Sequence, residues 1–416
     1  MSPLTTSSRR RILFVGEAVT LAHVVRPVVL ARALDPARYE AVLACDGRYL
    51  KLFGELPFAW RPIETIPTVK FLDNLAKGRP VYTAETLRAY VRDDLALIEA
   101  VQPDLVVGDF RISLGVSARV AGVPYFTITN AYWGPYSQLP FPLPEHPMTK
   151  VFGVGVSQAL FNLARPLVFA LHTLPLNRVR REYGFPSLGT DLREIYTHAD
   201  QVLYADIPGF IPTAPLPPHH CWLGPVLWSP EIKPPDWWDA VPEGRPIIYV
   251  ALGSSGENER ALPIILQGLA DLPVTVIAAT AGQPLGIKPP VNAYVADFLP
   301  GAEAAARAAL VICNGGSLAT QQALAAGAPV LGIASNMDQH LNMLCLERAG
   351  VGARLRVGPL TAKQVRKMTE RLLGDAGCRQ AAGRLRETLR DWDTGQVFAA
   401  RIAIQGGDGQ TTATQP

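Results

Sequence analysis

Asn314, Gly315, Gly316 and Ser317 follow a short apolar run and lead into a stretch of small residues. A glycine pair that opens a helix leaves backbone N–H groups without intrahelical partners, aimed at whatever lies beyond the strand end. That is an anion site by geometry, suited to a diphosphate. Further polar side chains follow at Gln322, Asp338, Gln339 and Asn342. Far upstream, His23 stands in a loop after the first strand-like run, where open α/β sheets bind their ligands. A lone loop histidine is otherwise a solvated side chain or a helix-end contact. Asp109 closes the apolar run PDLVVGD, and a carboxylate at the end of a buried strand costs free energy unless it is paired. Capping the helix that follows, SLGVSARVAG, is one way to pair it. His219 and His220 have no third ligand spaced to join them and read as linker surface.

The elements that must position these groups are short apolar strands alternating with helices. Residues 296–342 read as a strand at 310–313, the glycine turn, a helix to about 326, a strand at 329–333 and a polar loop. Such an alternation belongs to a parallel sheet covered on both faces. RILFVG, YEAVLACD, PDLVVGDF, VPYFTITN and ADQVLYAD read as earlier strands, the last of them closing the amino-terminal half. A loop-rich region spans 47–78, and an amphipathic helix 84–101. The most apolar long stretch begins at Val151; Arg165-Pro166 and His172 interrupt it, so it reads as a helical pair over a cleft and not as a membrane span. AYWGPYSQLPFPLPEHP is too rich in proline and aromatics for a regular element and suits the wall of an apolar pocket. A proline-rich shift then marks a semi-rigid linker.

At 416 residues, against a prior of roughly 150 per domain, the chain is expected to hold more than one domain. Thirty-nine Lys and Arg against 36 Asp and Glu give no polyanion-binding bias, so nucleic acid is not an expected partner. The five cysteines are odd in number and form no Cys-x-x-Cys pair, which argues against a disulfide framework or a zinc site and for the reducing cytoplasm. The apolar run before Glu17 is too short for a secretory signal.

The 296–342 stretch resembles the donor-binding signature of the family 1, UDP-sugar-type glycosyltransferases of the GT-B fold. That resemblance implies two Rossmann-like α/β domains facing each other across a cleft. Their bounds are expected at 1–223 for the acceptor domain, 224–245 for the linker and 246–390 for the donor domain. A helix at 391–404 would cross back, before a disordered tail at 405–416. By position, Gly315 and Gly316 match the phosphate loop with Ser317 beside it, Asp338 and Gln339 match the pair that meets the sugar hydroxyls, and Asn342 matches the Asn after them. Gly253 and Ser254 match a turn near the diphosphate, and Phe298 and Leu299 the segment that meets the nucleobase. AHVVRP is similar to the loop carrying the catalytic base, so the resemblance makes His23 the base and Asp109 its orienting partner.

Four positions depart from the family pattern, one of them Ala22, which stands in place of Gly before His23. Asn314 stands in place of His and brings no charge to the leaving diphosphate. Gln322 replaces the Glu that takes both ribose hydroxyls, which favours dTDP over UDP in the donor. Gly301 replaces a Gln at the base-binding segment. Trp133, Tyr136 and Phe141 are expected to line the acceptor site, and the apolar middle segment suits a lipid or another apolar small molecule and peripheral contact with the inner membrane. The activity implied is inverting transfer from a UDP- or dTDP-sugar, with the nucleotide sugar as substrate, no cofactor and no metal. A catalytically weak helper of a partner transferase and a sugar-nucleotide epimerase are the alternatives.

Overall fold

The computed structural model describes residues 9–242, 244–253 and 258–405; Ser254 and most of the expected tail lie outside them. The first half builds a seven-stranded sheet from β1 (Arg10–Gly16), β2 (Tyr39–Cys45), β3 (Ala59–Pro62), β4 (Leu105–Asp109), β5 (Tyr125–Thr129), β6 (Gln201–Tyr204) and β7 (His220–Trp222). Their order is β3-β2-β1-β4-β5-β6-β7, and every pairing is parallel. The second half builds six strands, β8 (Ile247–Ala251), β9 (Thr275–Ala279), β10 (Ala293–Ala296), β11 (Leu310–Cys313), β12 (Val330–Ala334) and β13 (Gly352–Arg356), in the order β10-β9-β8-β11-β12-β13, again all parallel. Both sheets reverse their strand order beside the first strand, the place where open α/β sheets form a ligand crevice.

Around the first sheet lie α1 (Ala22–Arg32), α2 (Thr68–Ala76), α3 (Ala84–Val101), α4 (Leu114–Ala121), α5 (Met148–Glu182) and α6 (Leu192–Tyr196). The second carries α7 (Asn258–Leu269), α8 (Gly301–Arg307), α9 (Ser317–Ala325), α10 (Met337–Arg348), α11 (Ala362–Gly374) and α12 (Ala376–Arg390). The closing helix α13 (Thr394–Gln405) returns to the first domain, where Phe398 and Ile402 are buried with Ile12, Phe14 and Val28. Trp392 Nε1 donates to the Leu223 carbonyl at 3.2 Å and Thr394 Oγ1 to that of Pro225 at 2.8 Å, which fixes the returning chain against the linker.

Three sequence expectations are corrected. The amino-terminal sheet ends on β7, not on ADQVLYAD, and His220 belongs to that strand: it is buried, with Tyr204 Oη 2.7 Å from its Nδ1. Burial carries its imidazole down to about 4. The apolar middle segment is one long helix, broken only at Gly153, whose φ of +74° leaves the helical region. The region 47–78 holds the edge strand β3 and the helix α2; an edge position tolerates Pro62, which has no N–H to pair.

Candidate active site

The site begins where β1 and β4 end side by side, with Gly16 paired in register to Asp109. The chain turns back at once: a Cβ on Gly16 would lie 2.7 Å from the His23 carbonyl oxygen, so only glycine lets α1 start so near its own strand. His23 falls in the first turn of α1, and its Nδ1 is 2.7 Å from Asp109 Oδ1. Its ring stacks on Phe110 at 4.6 Å and 10°. Phe110 holds φ at +59°, a region costly for a bulky residue, and this places its ring under the imidazole.

Arg26 is a residue that sequence reasoning missed. One helical turn after His23, it sets Nε 2.6 Å from Asp109 Oδ2 and a terminal nitrogen 2.9 Å from Oδ1, while its other terminal nitrogen donates to Asn130 Oδ1 at 3.0 Å. Burial opposes the Arg26 charge, but Asp109 outweighs it and holds the guanidinium above its ordinary value. The i, i+3 spacing from His23 on a helix was the available signal. Beneath this group, Arg111 sits fully buried, 2.9 Å from Glu17 and 3.0 Å from Asp94. Burial raises the Glu17 carboxyl, partly offset by Arg111. Because Glu17 opens the loop that leads to His23, this network ties the loop to β4.

The opposite wall is the start of α9. Gly316 is its N-cap residue and provides no side-chain cap, which leaves the first-turn N–H groups for a ligand. The turn before it requires glycine: Gly315 has φ +82°, and a Cβ there would lie 2.7 Å from Met343 Cγ. Asn314 Oδ1 accepts from the Gly316 N–H at 3.0 Å. Asn342 acts on the turn itself, donating to the Gly315 carbonyl and to Thr320 Oγ1, both at 2.8 Å. Gln322 Nε2 donates to the Trp228 carbonyl in the linker at 3.0 Å, leaving its oxygen as the group offered to a ligand. Gln339 uses its own oxygen at the start of α10, accepting from the Ser335 N–H at 2.8 Å and, in the capping box, from the Asn336 N–H at 3.4 Å.

A single cavity of about 1120 Å³ joins the two walls. His23, Asp109 and Phe110 line it from one domain; Gly253, Phe298, Leu299, Asn314, Gly316, Ser317, Gln322, Asp338 and Gln339 line it from the other. Trp133 spans the gap, its Nε1 donating to Asp338 Oδ1 at 2.8 Å.

With that geometry in place, the chain can be compared with known proteins. Residues 264–395 match the erythromycin biosynthesis protein CIII-like C-terminal domain. Over 388 residues the chain is 56% identical to a PGL/p-HBAD biosynthesis glycosyltransferase of Mycobacterium tuberculosis H37Ra, covering 93% of this chain and 90% of that one. It is 55% identical to a PGL/p-HBAD biosynthesis rhamnosyltransferase of Mycobacterium bovis BCG, covering 93% and 86%. The chain belongs to the family 1 glycosyltransferases of the GT-B fold. The solved spinosyn forosaminyltransferase SpnP shares this fold, with a TM-score of 0.70 at 20% identity over 96% of this chain and 100% of that one.

In this glycosyltransferase two expected acceptor residues stand away from the cavity. Tyr136 meets His220 edge-on at 5.1 Å, and the β-bridge of its neighbour Ser137 to Thr213 carries the loop away from the cleft. Phe141 lies behind the lining, 6.0 Å from Trp133 and 5.0 Å from Phe169, so it supports the wall without forming it. Phe71, Phe110 and Tyr196, with Trp133, supply the aromatic surface instead. Among the described residues no three His, Cys, Asp or Glu side chains gather as a metal site would require.

Proposed function

We propose that this glycosyltransferase moves a hexose or deoxyhexose from a UDP- or dTDP-sugar to a hydroxyl of a lipophilic small-molecule or lipid acceptor, with inversion at the anomeric carbon. The observation that carries the proposal is the single cavity bounded at one end by the His23–Asp109 pair and at the other by the open start of α9. Asp109 accepts a hydrogen bond from Nδ1–H, which leaves Nε2 unprotonated to take the proton of the acceptor hydroxyl as it attacks. Arg26, with two nitrogens on its carboxylate, holds Asp109 in place. The nucleoside diphosphate departs toward the N–H groups of Ser317 and its neighbours, where the helix dipole and aligned donors stabilise the charge without a metal ion.

The 55% identity to a rhamnosyltransferase supports a deoxyhexose donor. With Gln322 Nε2 committed to Trp228, one acceptor oxygen faces the ribose, which suits the single hydroxyl of a deoxyribose and favours dTDP. The names of both relatives in PGL/p-HBAD biosynthesis and the apolar lining support the acceptor class. Five buried, free cysteines suit the reducing cytoplasm.

The test is turnover with UDP- and dTDP-linked hexoses and deoxyhexoses and a panel of apolar and soluble acceptors, with and without chelator. The expected product has the opposite anomeric configuration to its donor and forms at the same rate in chelator. Retention of configuration, or loss of rate on chelation, overturns the corresponding part.

A further inference from the structure

The longest helix of the first domain leaves an apolar face without any partner. Val156, Leu160, Leu163, Leu167, Leu171 and Leu174 repeat at three- and four-residue spacing along α5, so they share one side. All six are exposed, Leu163 to 82% and Leu167 to 67%. An uninterrupted row of this kind marks an interaction surface rather than scattered surface leucines. The helix is long and apolar enough by composition to cross a membrane. Its last third is nonetheless anchored in the domain: Leu176 and Val179 are buried, Asn177 Nδ2 donates to the Gly189 carbonyl at 2.8 Å, and Arg180 Nε to that of Pro186 at 2.9 Å. A helix held along one side and bare along the other can lie on a bilayer but cannot pass through it.

Two observations identify the occupant. No Asp or Glu occurs between Glu145 and Glu182, and Lys70 and Arg79 are exposed on and just after α2. The carboxylate among them, Asp73, is neutralised by Lys77 at 2.6 Å. An apolar stripe bordered by positive charge matches an anionic lipid surface. The face is also continuous with the active site. Leu160 and Leu163 of α5 and Leu72, Leu75 and Ala76 of α2 line the same cavity as His23. Phe71 of α2 meets Phe110 at 5.9 Å, and Phe110 stacks under His23. An apolar wall therefore runs from the bare face to the catalytic base.

We infer that the α5 face, with the basic residues of α2, docks this enzyme on an anionic membrane, and that a lipid-borne acceptor slides from the bilayer between α2 and α5 to present its hydroxyl to His23. This rests on the lipophilic-acceptor reading above. It assigns the source of the substrate: a reaction that releases its product into the membrane.

The experiment is co-sedimentation of the full chain with phosphatidylcholine vesicles, with and without phosphatidylglycerol, alongside calorimetric titration with dTDP and UDP. The variant is Leu167→Glu with Leu171→Glu, both exposed and outside the cavity lining. The wild-type chain is expected on phosphatidylglycerol vesicles and the variant to lose at least about tenfold in partitioning, with nucleotide affinity and turnover of a short soluble acceptor intact. Reversing charge at Lys70 and Arg79 is expected to remove the preference for phosphatidylglycerol. Nucleotide binding without vesicle binding overturns the docking and leaves the transferase reading standing. Vesicle binding without nucleotide binding supports the docking and contradicts the transferase reading. Self-association that the same variant abolishes, with no vesicle binding, overturns the docking in favour of a second copy of this chain.

Discussion

Asp109 is surrounded on three sides: His23, the two contacts from Arg26, and the backbone N–H of Glu17, which donates to its carbonyl at 3.1 Å. Removing one member of a buried ion pair strands the other, at a cost of about 3–5 kcal/mol. Arg26→Leu is therefore expected to lower stability in urea by that order, and the double variant with Asp109→Asn to lose less than the sum of the two singles. Additive losses would show that the pair is not coupled. His220 gives a pH prediction with a definite sign. Its folded value, near 4, lies below the ordinary histidine value, so its contribution is fully present above about pH 6.5 and is lost as pH falls toward 4. Urea melts across that window are expected to show a shallower loss in His220→Gln than in the wild type. The strand ends singled out His23 and Asp109 as candidates, but it was the resemblance of AHVVRP to the family's base loop that paired them as base and partner. Arg26 was not legible, because an arginine in a helix ordinarily reads as a solvated side chain, and only the folded contact with Asp109 shows that it is buried.

Among the elements, the turn from β11 into α9 carries the most function in the fewest residues. Gly315→Ala would place a methyl group 2.7 Å from Met343 Cγ at a φ of +82°. The expected outcome is a destabilisation above about 1 kcal/mol and weaker nucleotide binding in calorimetry, since the N–H groups move with the turn; unchanged affinity would show that the turn is not the diphosphate site. This element was readable because a glycine pair between a strand and a helix has few other uses. The edge strands β3 and β7 were not. At four and three residues they are too short to show a period, and their pairing comes from neighbours distant in sequence. The single helix α5 was read as a pair because Arg165-Pro166 and His172 interrupt its apolar run and proline ordinarily breaks helices, whereas here the break falls at Gly153.

Across the whole molecule, the two sheets are joined by side chains that serve the site as well as the seam. Trp133 reaches Asp338, Gln321 Nε2 donates to the Ala205 carbonyl at 2.8 Å, and Arg356 pairs with Glu145 at 2.7 Å. The returning helix α13 buries Phe398 completely against Phe14, 5.8 Å between ring centres. Phe398→Ala is expected to cost about 3–5 kcal/mol in the first domain, read as a lower urea midpoint. The paired α/β halves were legible from strand and helix alternation and from the proline-rich linker between them. The walls of the acceptor cavity were less so: of the three aromatics expected there, only Trp133 faces it, because the loop between β5 and α5 folds Tyr136 toward β7 and Phe141 beneath the surface. The measurement that bears most directly on the catalytic reading is kcat for sugar transfer by His23→Ala, taken beside its nucleotide affinity. A fall of roughly two to four powers of ten with affinity unchanged is expected from a general base that takes no part in donor binding; a rate equal to that of the wild type would mean that the acceptor proton leaves by another route and that the His23–Asp109 pair is structural.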